Sequence, residues 1–194
     1  MVAADNREEL IFQILEIEME MFRNISTFER SPCQDRLKTF RLMRWMSHSV
    51  LTRPILESYL EDLRQGLLSG RNFMTEKYAR MDDLIPSLQT DGVIDGIVAI
   101  EDQWMAQVRA AYPCSFPRDG EGFHSYIACE LETLSPQTLK LLGEYVSQAL
   151  EAGRNLVRER YENLFRKLGY ASIAEFEEKT RRAPGTPQPG ACGR

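Results

Sequence analysis

The chain has 194 residues, 43% hydrophobic and 27% charged, with a formal net charge of −5. That balance suits a soluble globular domain with a sizeable core and argues against a nucleic-acid binder, which needs a basic face. No apolar run approaches the roughly 18 residues of a membrane span, and Met1 to Arg7 lack the pattern of a secretory leader, so a cytoplasmic protein without membrane contact is expected.

A first helix is predicted to start near Asp5, with Glu8 and Glu9 complementing the dipole of its first turn, and to run to about Ile25. After a break at Ser31-Pro32-Cys33, a second helix carries Phe40, Leu42, Met43, Met46 and Val50. Between Arg30 and Arg53 the charges are basic apart from Asp35, and the preceding stretch is mostly acidic, which reads as two solvated faces that complement each other within the fold. Apolar or small residues then recur at 56, 60, 63, 67, 70, 74, 78, 81 and 85, the alternation of a helical packing seam, which predicts one helix of about thirty residues.

A helix follows from about Asp91 to Tyr112, then a loop over Pro117 to Gly122 expected to be mobile, then a short helix around Phe123 to Leu131. The seam returns at 139, 143, 146, 150, 153, 157, 161, 164 and 168, implying a second long helix. Gly70 and Gly153 would sit inside these helices at a cost of about 1 kcal/mol each relative to alanine, so close approach of another helix is the expected reason for them. A last short helix covers Ser172 to Lys179, and residues 181–194, rich in Pro, Gly and Thr, read as a disordered tail.

The two series are the same sequence pattern displaced by 83 positions: Gly70-Arg71-Asn72 falls on Gly153-Arg154-Asn155, Glu76 on Glu159, Tyr78 on Tyr161, and Ile14, Ile17 and Glu18 on Ile97, Ile100 and Glu101. The expected architecture is therefore all-α: a single helical domain over 1–180, built as an internally duplicated bundle. Two three-helix repeats, about 8–85 and 91–168, each with one long helix, would be related by a pseudo-two-fold axis.

On the first helix Leu10, Ile11, Ile14, Leu15, Ile17, Met21, Phe22 and Ile25 form one apolar stripe, and Glu18 lies near its centre. Glu101 occupies the same place in the second half. A buried carboxylate needs a cation, hydrogen-bond donors, a metal or a proton. One reading pairs Glu18 with Arg71 and Glu101 with Arg154, locking the first helix to the long one. A second brings some of Glu18, Glu76, Glu101 and Glu159 together as in carboxylate-bridged dimetal bundles, although the Glu-x-x-His pairs of such bundles are missing and no metal ligand is assigned. A third is a pocket in which Glu18, Arg71, Asn72, Glu76 and Tyr78 orient a small polar molecule, where a perturbed carboxylate could also act as acid or base.

Weaker signals accompany these. Arg41, Arg44 and His48 share one helical face, suited to an anion or, more simply, to a solvated or salt-bridged surface. Cys33, Cys114, Cys129 and Cys192 lack CxxC spacing and read as ordinary thiols, and Cys33 with His48 matches no catalytic pattern. Asp91 to Gly96 superficially suggests a calcium loop, but Val93 stands where a ligand is required.

The run Ser58-Tyr59-Leu60-Glu61-Asp62-Leu63, the core Asn72-Phe73-Met74-Thr75-Glu76-Lys77-Tyr78-Ala79-Arg80-Met81, and Ser31-Pro32-Cys33-Gln34 with Thr39-Phe40 resemble domain-of-unknown-function family 4125, from about Arg7 to Lys179. The resemblance implies a bacterial helical protein and carries no catalytic residue or cofactor. The second half departs from the core motif at Arg158-Glu159-Arg160-Tyr161-Glu162-Asn163, so a single site is expected in the first half. Together these readings favour binding of a small polar ligand in a pocket between or within the repeats, lined by Glu18, Arg71, Asn72, Glu76 and Tyr78. The alternatives are an enzyme using buried carboxylates as acid, base or metal ligands, and a structural interaction module.

Overall fold

A computed structural model describes residues 6–25, 36–116 and 122–182. The Ser31-Pro32-Cys33 break, the loop at 117–121 and the tail beyond Arg182 lie outside the described residues. Every regular element among them is a helix: α1 (Arg7–Arg23), α2 (Leu37–His48), α3 (Arg53–Leu68), α4 (Phe73–Met81), α5 (Gly92–Ala111), α6 (Phe123–Leu131), α7 (Pro136–Glu151), α8 (Leu156–Lys167) and α9 (Ile173–Arg182). None of the described helices is long and apolar enough to cross a membrane.

The expected thirty-residue helices do not form; each is two helices joined by a tight turn. Gly70 takes a left-handed φ of 72° just past the end of α3, letting the Arg71 N–H reach the Gly66 carbonyl at 2.8 Å and the Gly70 N–H reach Leu67 at 3.2 Å. Those two bonds satisfy carbonyls that a helix end otherwise orphans. Asn72 then starts α4, its side-chain oxygen accepting from the Thr75 N–H at 3.0 Å. Gly153, with φ 69°, and Asn155, accepting from Arg158 N–H at 2.8 Å, do the same between α7 and α8. The glycines are therefore helix stops, and a Cβ built on either would meet nothing within 4 Å. Among the described residues, eight helices precede α9 where six were predicted.

Turning the chain at Gly70 folds α4 back onto α1. The Asn72 amide donates to the Met21 carbonyl at 2.8 Å, as Asn155 donates to Trp104 at 3.0 Å, so one residue caps a helix and ties it to another. Helix α1 packs on α2, α3 and α4, and α5 on α6, α7 and α8. The halves interlock three times: α3 on α7, α2 on α8, and α4 on α6. Ser58 and Thr138 hydroxyls meet at 2.7 Å across α3 and α7, and the Tyr145 hydroxyl donates to the Val50 carbonyl at 2.7 Å. One apolar cluster, including Ile14, Leu56, Leu63, Ile97, Leu139 and Val146, runs through both halves.

Candidate functional site

The α1 stripe is buried as its spacing requires, and Glu18 is fully buried within it, with Glu16 and Glu20 exposed. Its partners come from α2 and α3 rather than from Arg71. Arg44 Nη2 donates to Glu18 Oε1 at 2.6 Å and the Tyr59 hydroxyl to the same oxygen at 2.8 Å. His48 Nε2 lies 3.0 and 3.1 Å from the two carboxylate oxygens. An ionised carboxylate only accepts, so Nε2 carries the hydrogen. Burial by itself would raise the Glu18 pKa, but Arg44 and His48 reverse that and hold it well below the carboxylate range. Burial and then Glu18 push the Tyr59 phenol up, keeping it a neutral donor.

Arg44 continues the network into the other half of the chain. Its Nη1 donates to both Glu130 oxygens, at 2.9 and 2.8 Å. Glu130 also accepts from Lys77 Nζ, which stands 3.1 Å from the centroid of the Tyr126 ring. Burial favours the neutral acid at Glu130, yet Arg44 and Lys77 bring its pKa down to about 2. Burial opposes the charge on Arg44, but Glu130 and Glu18 outweigh it and raise its pKa. Four helices, α1, α2, α6 and α4, thus supply one line of charge, Glu18–Arg44–Glu130–Lys77. The line is not uniformly sealed: the Arg44 and Lys77 side chains are 2% exposed, whereas that of Glu130 is 22% exposed. Arg44 Nε and His48 Nδ1 are buried without a hydrogen-bond partner among the described residues.

The remaining expected residues have other neighbours. Arg71 Nε and Nη2 donate to the two oxygens of Glu76 at 2.9 and 2.7 Å, over the Phe73 ring and toward solvent. Arg154 and Glu159 form the same pair. Asn72 is engaged as cap and tie. Tyr78 packs against Phe22, and burial followed by Tyr126 raises its pKa over the opposing pull of Arg44, so it lies next to the network. Glu101 is buried as expected, but Arg160 meets it rather than Arg154. Positions 127, 131 and 142, which stand 83 beyond Arg44, His48 and Tyr59, are Ile127, Leu131 and Leu142, so the second glutamate lacks the polar surroundings of the first. Among the described residues no group of three or more His, Cys, Asp and Glu side chains could hold a metal ion.

Sequence reasoning placed Arg44 and His48 on one face but joined them to no partner, and it passed over Lys77 and Glu130. A signal existed: Arg44 and His48 continue the line of Phe40 at four-residue steps, and Lys77 follows Phe73 by four. An open groove of ≈ 510 Å³ between α5 and α7, lined by Val93, Gly96, Ile97 and Gly143 among others, contains none of these charged groups.

No curated protein and no solved structure matches the chain. A family model described as "Protein of unknown function (DUF4125)" matches residues 8–178, from the first turn of α1 into α9, and the chain belongs to that family.

Proposed function

We propose that the protein binds a small polar molecule where α2, α4 and α6 meet, with Lys77 and Arg44 as its polar contacts, Glu130 at the mouth of the site, and Tyr78 and Tyr126 beside them. One observation carries this reading: a buried ammonium is held by an aromatic face and by the carboxylate of Glu130, a side chain that is partly exposed. Buried charges paired in this way seldom stabilise a fold more than apolar residues of the same size would. A ligand that uses them gives the arrangement a reason beyond stability. In this reading Tyr78 stays a lining residue, Glu18 acts through Arg44, and Arg71, Asn72 and Glu76 hold helices in place.

We also read the chain as two four-helix repeats followed by α9. The paired Gly-Arg-Asn turns, the two Arg–Glu pairs beside them, and the reciprocal packing of α2 on α8 and α4 on α6 support that reading. In it the charge network is an addition to the first repeat, completed by Glu130 and Tyr126 from the second.

The test is to unfold freshly purified protein and analyse what it releases by mass spectrometry. One small polar compound near a one-to-one ratio is expected, and Lys77→Met, still helical by circular dichroism, should carry little of it. Empty wild-type protein, together with no thermal shift across a panel of polar metabolites and a Lys77→Met variant less stable than wild type, would reduce the network to a structural lock between the halves.

A further inference from the structure

Within the network the two cations are sealed and only one of the two anions is not. Arg44 and Lys77 side chains are 2% exposed and Glu18 is fully buried, but Glu130 is 22% exposed. Glu130 also comes from α6, a helix of 9 residues, whereas the groups it contacts belong to α2 and α4. Its carboxylate makes the contacts a bound carboxylate would make: both oxygens on Arg44 Nη1, at 2.9 and 2.8 Å, and one oxygen on Lys77.

We propose that Glu130 is a removable plug in a carboxylate-binding site formed by Arg44 and Lys77, and that the ligand of the protein is a small organic monocarboxylate whose acid group takes the place of the Glu130 side chain. This rests on the binding reading above and names its ligand class. Charge decides the class. Glu18 and Glu130 balance Arg44 and Lys77, so exchanging one monoanion for another keeps the buried layer neutral once the freed Glu130 turns to solvent. A phosphate dianion would leave an uncompensated negative charge there, and an amine would bring a third cation beside two buried ones. Geometry agrees, since a planar two-oxygen acceptor suits a guanidinium with a neighbouring ammonium.

The experiment uses the full chain and acetate, which is the fragment that Glu130→Ala removes. Thermal midpoints of Glu130→Ala are compared in chloride, acetate and phosphate at matched ionic strength and pH 7. The variant should melt below wild type in chloride, and acetate should raise its midpoint with the logarithm of its concentration, by about 4 °C at ten times its dissociation constant. Equal effects of the three anions, or a larger effect of phosphate, would overturn the carboxylate assignment. Should Glu130→Ala fail to fold, Glu130→Gln replaces it, and acetate must then move the Tyr126 ring resonances; unmoved resonances would count against the proposal. In wild-type protein the Glu130 carboxyl carbon must shift toward the value of a solvated glutamate as acetate is added. A carbon that stays fixed at ten times the concentration saturating the alanine variant makes Glu130 a permanent clamp and ends the plug proposal. A released ligand without a carboxylate would refute the class while leaving the binding reading intact, whereas no ligand at all refutes that reading itself.

Discussion

Arg44 and Glu130 stand 86 positions apart in the chain, yet one guanidinium nitrogen of the first lies within 2.9 Å of both carboxylate oxygens of the second. Because the same guanidinium also binds Glu18, two anions from different halves share one cation. Arg44→Met keeps much of the volume and takes that cation from both, leaving Glu18 with Tyr59 and His48 and Glu130 with Lys77. The loss is expected to be about 3–5 kcal/mol, the range for breaking a buried pair from one side. Urea unfolding at neutral pH measures it, and a loss under about 1 kcal/mol would mean the carboxylates find other partners.

The same contacts fix a direction for pH. Glu130 is lowered from 4.5 to about 2 and Glu18 is lowered further still, so both bind protons more weakly folded than unfolded. Their contribution is complete above the unfolded value near 4.5 and disappears as pH falls through the folded values. For Glu130 alone the displacement corresponds to about 3 kcal/mol. Stability should therefore fall steeply between about pH 4.5 and 2, and the slope in that window should be shallower in Glu130→Gln, which has no carboxylate there to titrate. Urea midpoints taken across the window decide it; parallel profiles would remove Glu130 as a source of the acid sensitivity.

The turn at Gly70 separates two costs. Gly70→Ala places a Cβ in open space but in a left-handed backbone, so about 1–2 kcal/mol should be lost to conformation alone. Gly70→Asn should cost less, because asparagine tolerates that region. Asn72→Ala loses the Thr75 cap and the Met21 tie together, about 1–2 kcal/mol or somewhat more. Chemical denaturation of the three variants gives the order, and Gly70→Ala matching wild type would contradict the strained turn.

That turn also shows what the sequence could and could not reveal. Glu18 was legible because it interrupts an otherwise complete apolar stripe, a conflict visible on one helix. Its partner was not, since pairing it with Arg71 assumed a straight helix over positions 56–85. The apolar spacing runs on unbroken through Gly70, so periodicity alone joins α3 to α4. The stop is written in local chemistry: a glycine that can turn left-handed and, two residues later, an asparagine that can cap. Lys77 and Glu130 were hidden for a different reason. Each is a charged residue on a short amphipathic helix, and its burial exists only because α4 packs on α6, a long-range contact that no single-helix pattern contains.

A carboxylate outside the network holds the last helix in place. Glu177 on α9 is 4% exposed and accepts from the Cys114 N–H at 3.0 Å, the Ser115 N–H at 2.8 Å and the Ser115 hydroxyl at 2.6 Å. Burial would raise its pKa, but these donors, Ser115 foremost, lower it. Around it Phe165 stacks on Phe176 at 4.4 Å, and Phe116 meets Phe165 edge-on, so the carboxylate sits beside an aromatic seam between α8, α9 and the turn after α5. Glu177→Ala removes the acceptor and leaves two backbone donors without it, whereas Phe176→Ala removes packing only. Hydrogen exchange distinguishes the two: Glu177→Ala should speed exchange at Cys114 and Ser115 by 10-fold or more, the equivalent of about 1.4 kcal/mol, with the α3 and α7 amides unchanged. Phe176→Ala should loosen α9 first. Equal protection of Cys114 and Ser115 in wild type and Glu177→Ala would show that the turn is held by its own backbone, and that α9 is docked by its aromatic side chains alone.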